Sequence, residues 1–574
     1  MTRIVSRPYR VPGALFLLAA VLSTGALAQT SPGAAARTET PALTPERALR
    51  ALPGETILLR RLNGIAFYAT AAAASAGAPG QGIALHGLPL LQNAGFQAIV
   101  SHAGNAPASR DSLERLLVAT RVYLGQLGYP FSVVYLPPQD ITSGIVRVVV
   151  TLSRMQGAPE IEGARYFSPD LYRRAIRNSP ERPLNLADMK ADIDWINRNE
   201  FRSAKVTTVA GTEPATTKVL VSVEEKFPLT FTLGADNTGT ASTRENRLNG
   251  GIKWGNAFGL GDTLALNLSM SPDVRTFQSI SGSYAIDLPW RHVLTFSGAY
   301  SRTNGIVASP FSLKGETWQI SADYLIPLTS SVENYTQSLT FGIDLKSSNN
   351  NFAFSSIPIS NTPTKILQAR ATYTGGYTGR FGATAFDATV VASPGNLLTQ
   401  NSDAAFNLSR AGAKADYVYV RGNASQTVPL DFVAPGFSWF IRGKAQLSNR
   451  NLIGSEQFQG GGANAVRGYQ EDAVYKDNGF LLSQELRFPP VRFDLGRAPV
   501  QWQAFAFQDF ARLQSTSPLP GETAANLHGL GIGFTLAAGP WVNLRVSYGW
   551  RMSPIPGGRA TDKSRLHFSQ VVSF

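Results

Sequence analysis

The chain of 574 residues contains no cysteine, which excludes disulfides, thiolate nucleophiles and metal–thiolate sites. Past the N-terminal leader, no run approaches twenty consecutive apolar residues, so a membrane-spanning helix is excluded. Its five histidines (His86, His102, His292, His528, His567) are scattered without ligand spacing. No nucleophile elbow, paired-carboxylate constellation or Gly-x-x-x-x-Gly-Lys-Ser/Thr phosphate loop is present. An enzyme, a metal site, a cofactor and ATP-driven work are therefore not expected. Charged residues make up only 16% of the chain, yet the formal charge is +13. No basic run is interleaved with a binding fold, so nucleic acid is not an expected partner. The excess arginine suits anionic lipid head groups or a polar lumen.

What is present begins with an export signal over 1–28. Arg3, Arg7 and Arg10 form its basic region, Ala14 to Leu22 its apolar core, and Ala26-Leu27-Ala28 its small-residue site, with cleavage before Gln29. The apolar core is too short for a spanning helix. The Ala/Pro/Thr-rich stretch over 29–55 reads as a linker. Pro45 to Leu52, capped by Thr44, reads as a short helix within it, either plugging a lumen or lying in a tether.

From 228 to 574 the pattern has period two. Val542, Leu544, Val546, Tyr548 and Trp550 share one face, with Asn543, Arg545, Ser547, Gly549 and Arg551 on the other. The same holds for Leu264, Leu266, Leu268 and Met270 against Thr263, Asn267 and Ser269. Trp439, Ile441, Ala445 and Leu447 likewise oppose Arg442, Lys444 and Gln446. In the final segment Leu566, Phe568, Val572 and the terminal Phe574 oppose Arg565, His567, Ser569 and Ser573, with Gln570 the misfit. A soluble sandwich could not bury arginine and lysine on successive inward faces. Seven of the eight tryptophans lie in this half, many near strand ends, as interfacial girdles require. The sequence thus predicts a transmembrane antiparallel barrel of about sixteen strands, with a water-filled lumen that something must fill or gate. Within it, a Gly-rich loop over 449–478 carries Val466-Arg467-Gly468-Tyr469, and Gly460 to Gly462 supply backbone freedom.

Between linker and barrel, two α+β modules over 56–154 and 155–227 read as a repeated β-α-α-β-β unit. The first comprises Ile57–Tyr68, Leu90–Val100, Ser112–Gln126, Phe131–Leu136 and Ile145–Leu152. The second comprises Glu160–Ala164, Asp170–Arg177, Leu186–Asn197, Val206–Ala210 and Lys218–Val223. Such modules leave a sheet edge and a groove free to accept an extended client by strand addition.

Several motifs carry a resemblance across nearly all of the mature chain. They are Gly128-Tyr129-Pro130 followed by Leu136-Pro137-Pro138-Gln139-Asp140-Ile141, then Asn197-Arg198-Asn199 with Phe201-Arg202. Asp236-Asn237-Thr238-Gly239, Gly259-Leu260-Gly261-Asp262 and the arginine-bearing loop follow in order. Together they resemble the two-partner secretion transporters, the haemolysin secretion/activation proteins, within the outer-membrane assembly and translocation superfamily. The resemblance implies two polypeptide-transport-associated (POTRA) modules in the periplasm. It implies that the 449–478 loop folds from the surface into the lumen, where Arg467 pairs with a wall carboxylate. The family's Phe-x-Asp-x-Gly wall motif falls on Phe507, Asp509 and Ala511, the alanine departing from the expected glycine and questioning how closely loop and wall pack. Leu136 to Asp140 and Asn197 to Asn199 become client-recognition candidates, and Phe574 a C-terminal signal for the barrel assembly machinery.

The implied function is an outer-membrane pore that threads one large unfolded exoprotein, a haemolysin or filamentous adhesin-like client encoded nearby, to the cell surface without ATP. Its N-terminal secretion domain and the outer-membrane lipid, lipopolysaccharide included, are the expected partners. A barrel insertase and a diffusion porin are the alternatives.

Overall fold

A computed structural model describes residues 57–77, 81–101, 107–308, 311–330, 332–354, 357–361, 363–496, 498–555 and 562–574. The leader over 1–28, the linker over 29–55 and its Pro45–Leu52 helix lie outside the described residues. The chain divides into two compact units between Phe227 and Pro228.

The described residues of the N-terminal unit form two four-stranded sheets and one two-stranded pair. In the first, Gly64–Tyr68 lies between parallel neighbours Gly82–His86 and Ile145–Thr151, and Val133–Tyr135 adds an antiparallel edge. The helix Arg110–Gln126 begins in a capping box between Ser109 and Ser112. It presses Leu113, Leu116, Leu117 and Leu124 onto the sheet, and Phe96 of the helix Ala94–Ser101 meets Phe67 edge to face at 5.1 Å.

Two expectations for this module need correction. Ile57–Tyr68 is not one strand: Ile57–Leu59 pairs with Ala108–Ser109, and Gly64–Tyr68 enters the sheet separately. The order is also richer than β-α-α-β-β, because a helix Ala71–Ala76 and the strand Gly82–His86 intervene. Four consecutive alanines carry no amphipathic signal. Their helix starts because the Thr70 hydroxyl accepts from the Ala73 amide at 3.2 Å.

The second module keeps the order read from its sequence: Glu160–Glu162, Pro169–Ala175, Leu186–Ile196, Arg202–Ala210 and Thr216–Glu225. A short strand, Arg154–Met155, however, precedes it in the same sheet and crosses the boundary expected between 154 and 155. Thr216–Glu225 is central, antiparallel to Arg202–Ala210 and parallel to Glu160–Glu162 and Arg154–Met155. The two helices are tied by the buried Asp192, which accepts from the Arg177 amide at 2.7 Å and its Nε at 2.8 Å.

The C-terminal unit is a closed antiparallel barrel. Of its segments, Ile357–Asn361 prolongs the strand Thr364–Gly379, and Val491–Leu495 prolongs Asn478–Arg487 beyond Pro489-Pro490, leaving sixteen staves. The predicted faces are the observed ones: Leu447 and Leu566 point out, while Gln446, Ser547 and His567 are buried inward. Turns at the end where Leu229 begins are short. Those at the opposite end are longer, as in bacterial outer-membrane barrels. Trp254, Trp290, Trp439 and Trp541 ring the short-turn end, all exposed, where an interfacial girdle belongs. Closure joins the first and last staves: Phe231 and Phe574 exchange two backbone hydrogen bonds of 2.9 Å. Beyond that ladder, Asn237 donates to the Leu566 carbonyl at 2.7 Å and accepts from the Phe568 amide at 2.9 Å.

Candidate lumenal site

The loop between Ser438–Ser448 and Asn478–Arg487 turns back inside the wall. It makes a 3-10 turn at Gly454–Glu456 and a short hairpin pairing Phe458–Gly460 with Val474–Lys476. At the tip, Gly461 (φ 96°) and Gly462 (φ 103°) reverse the chain, a conformation open to glycine. Gly460 is regular ladder backbone opposite Val474.

Tip and wall meet over a strip without side chains. A Cβ on Gly529 would stand 2.1 Å from the Arg467 carbonyl oxygen, and one on Gly468 would stand 2.9 Å from the Trp550 carbonyl carbon. Gly529, Gly531 and Gly533 all face inward, leaving room for the loop backbone and for the rings of Phe505 and Phe507. The alternating glycines were visible in the sequence but were not read as a berth.

Arg467 is 3% exposed and Asp509 fully buried. The guanidinium donates through Nε at 2.7 Å and Nη2 at 2.8 Å to the two oxygens of Asp509, and the Arg467 amide adds a third bond at 3.0 Å. Its Nη1 donates to Glu485 at 2.7 Å. The Phe507 ring lies 3.5 Å from the guanidinium carbon, a cation–π contact in a desolvated setting. Ser483 donates to Asp509 at 2.6 Å, and Glu485 also receives Arg487 at 2.9 Å and Arg545. Two carboxylates thus hold three guanidiniums. Glu485 was missed, although its parity with Ser483 places it inward; which inward charge the tip reaches depends on how deep the loop descends.

Val466 and Tyr469 pack with Ala511, Leu481, Leu513 and Leu527 in one apolar cluster. Ala511 is fully buried there, and its methyl fills the space where the family pattern has glycine. On the same side of the wall, the Tyr469 hydroxyl lies 2.7 Å from the Ser553 carbonyl and accepts from the His528 amide at 3.1 Å. The Gly468 amide donates to Nε2 of His567 at 3.2 Å.

Two more buried acids fasten the feet of the loop, and neither was anticipated. Glu456 accepts from Lys346 Nζ and from the Tyr419 hydroxyl, both at 2.9 Å. Asp477 accepts from Arg410, at the end of the helix Asp403–Ser409, and from the Leu452 amide at 2.8 Å. Gln446 links both feet, donating to the Glu456 carbonyl at 3.0 Å and the Asp477 carbonyl at 2.9 Å.

The candidates outside the barrel sit elsewhere and serve their own modules. Gln139 replaces a missing strand neighbour, donating to the Arg147 carbonyl and accepting from its amide, each at 2.7 Å. Leu136 packs on the first core, and Pro137 and Pro138 lead into this clasp. Asp140 accepts from the Thr142 amide at 2.9 Å, which holds its carboxyl below the usual aspartate value. Asn197 bonds both ways to Ala204, at 2.6 and 3.1 Å, and Asn199 accepts from the Phe201 amide at 3.0 Å. Arg198 lies over the Trp195 ring.

Comparison with known proteins decides the family. The haemolysin secretion/activation protein family (ShlB/FhaC/HecB) matches residues 215–536, more than half of the chain, and the ShlB-type POTRA domain matches 79–152. The chain belongs to this family of two-partner secretion transporters. Among curated relatives, outer membrane transporter CdiB of Escherichia coli O6:K15:H31 is 24% identical over 383 residues, covering 62% of this chain. The chain spans only 60% of that relative's length. CdiB of Dickeya dadantii is 22% identical, covering 75% of this chain and 74% of the relative. Among solved structures, CdiB from Escherichia coli superposes with a TM-score of 0.74 at 18% identity, covering 93% of this chain and 94% of that one. BamA from Haemophilus ducreyi, lacking POTRA domains 1–3, gives 0.50 at 15% identity over 82% of this chain and 95% of that one. The family member described here is an outer-membrane barrel with periplasmic POTRA modules.

Proposed function

We propose that this barrel translocates a large unfolded exoprotein from periplasm to cell surface without ATP, with the lumenal loop as its internal gate. The reading rests on one observation: a loop fastened at its tip by Arg467 to Asp509 and Glu485 occupies the lumen that a threaded chain would need. Its fastenings are ion pairs and hydrogen bonds, which reform after displacement, so the arrangement suits an element that is moved aside. In the absence of a nucleotide loop, folding of the client outside supplies the directional bias. The client, a haemolysin or adhesin-like protein with an N-terminal secretion domain, docks on the modules by strand addition. The strand Val133–Tyr135, with Val133 and Tyr135 exposed, offers one such edge. Leu136 to Asp140 and Asn197 to Asn199 then act by holding the modules in shape. Phe574 serves as the insertion signal read by the barrel assembly machinery.

Arg467→Ala tests the proposal. The client should accumulate in the periplasm while the variant barrel still inserts and keeps its heat-modifiable migration. Undiminished export would remove Arg467 from the mechanism. The fold likeness to BamA favours a second reading, a barrel insertase. Deletion of the gene separates the two: loss of one exoprotein supports the transporter, and depletion of many outer-membrane proteins supports the insertase.

A further inference from the structure

The outer wall carries a feature that the lumenal site does not use. On the strands Thr263–Met270, Phe277–Asp287, Val293–Gly305 and Phe311–Leu328, the outward residues fall into level rows by register. One row reads Leu266, Gly282, Gly298, Ile320, and the next, toward the long-loop end, Leu268, Ile280, Tyr300, Trp318. Above that stands Met270, Gln278, Arg302, Glu316.

The paired glycines cut a furrow of about 600 Å³ into the wall, floored by Gly282 and Gly298 and flanked by Ile280, Tyr300, Trp318 and Ile320. A Cβ on Gly298 would meet nothing closer than 3.7 Å, so the furrow is open. Directly above it lies a polar recess of about 440 Å³ lined by Asp273, Val274, Arg275, Gln278, Arg302 and Asn304. One register step of two residues, about 7 Å, separates the two along a strand.

The recess is held in shape by its own turn. Asp273 receives Ser271, Thr276 and, at 3.3 Å, Arg244. Asn304 donates to the Arg275 carbonyl at 2.8 Å, and Gln278 to the Val274 carbonyl at 2.6 Å. The local aspartate is thus engaged, whereas Arg275 and Arg302 are exposed and enter no ion pair among the described residues. Glu316, beside Arg302 in register, leaves the recess net basic.

An apolar furrow facing lipid, crowned by two arginines at the end with the longer, surface loops, complements an acyl chain beneath an anionic head group. We propose that it seats one molecule of lipopolysaccharide, with lipid A phosphate on Arg302 and Arg275 and an acyl chain laid over Gly282 and Gly298. Guanidiniums suit phosphate through parallel hydrogen bonds. The site stands apart from the transport reading and neither requires nor supports it.

Full-length protein in detergent, titrated with purified lipopolysaccharide and followed by native mass spectrometry, tests the assignment. The wild type should retain one molecule through detergent exchange, and Arg275→Ala/Arg302→Ala should weaken retention roughly tenfold or more. Gly298→Leu should block it with both charges intact, Arg302→Lys should keep most of it, and enzymatically dephosphorylated lipid should bind as weakly as to the double variant. Heat-modifiable migration establishes that each variant is folded. Equal retention by wild type and double variant, equal binding of dephosphorylated lipid, or no retained lipid on the wild type would each overturn the proposal.

Discussion

Gly549 faces Gly468 backbone to backbone: a Cβ on Gly549 would stand 2.5 Å from the Gly468 nitrogen. The guanidinium reaches Asp509 only because this part of the wall lets the loop lie against it. Gly549→Val, and Gly529→Val beside it, should therefore push the tip off the wall, at about 1–3 kcal/mol of overpacking. Higher single-channel conductance and protease cleavage within the loop should follow. A tip that stays protected, with unchanged conductance, would count against the close fit.

Arg467→Ala leaves Asp509 buried without its main cation, whereas Glu485 keeps Arg487 and Arg545. The single variant should lose about 3–5 kcal/mol, read as a lower temperature for loss of the heat-modifiable folded band. Arg467→Ala/Asp509→Ala should recover part of that loss, since the stranded carboxylate is gone. Strict additivity of the two substitutions would contradict direct pairing.

Glu456→Gln tests the foot of the loop. It removes the charge facing Lys346 while keeping an acceptor for Tyr419. The buried ammonium then loses its nearer counter-ion and keeps only Asp344 at 4.0 Å, and we expect about 3 kcal/mol of lost stability together with greater conductance noise. Lys346→Met combined with Glu456→Gln should be quieter than Glu456→Gln alone.

In the first periplasmic module, Gln139→Ala deletes both 2.7 Å bonds to Arg147. Leaving those backbone groups without partners should cost about 1–3 kcal/mol and speed proteolysis of the module in the full-length protein. Gln139→Glu, which keeps one acceptor but no donor, should fall between wild type and alanine. Wild-type resistance in Gln139→Ala would show that the clasp is dispensable.

The barrel was legible because its signal is local. Val542 to Arg551 alternates residue by residue, and that parity alone assigns each side chain to lipid or lumen. The strand Gly82–His86 was not, because its partner Gly64–Tyr68 lies beyond an intervening helix and pairs in parallel, a relation without a hairpin signature. The motif at Arg467 stood out, yet Glu485 and the glycine strip could not be assigned to it from spacing alone. Lys346 and Glu456 lie 110 residues apart, and only the closed wall brings them together. Gln139 and Asn197 drew attention as motif residues, and their geometry shows side chains engaged by the backbones of Arg147 and Ala204 within their own modules.

The berth of the Arg467 tip has a temporal meaning. Gly529, Gly549 and His567 belong to the last three staves, Ala525–Ala538, Val542–Arg551 and Ser564–Ser573, so the receiving surface is synthesised after the loop itself. A chain without those staves holds Glu485 and Asp509 for the guanidinium but lacks the glycine berth that seats the tip backbone. Docking can come only once the C-terminus is home, which makes the seated loop a molecular receipt for finished construction.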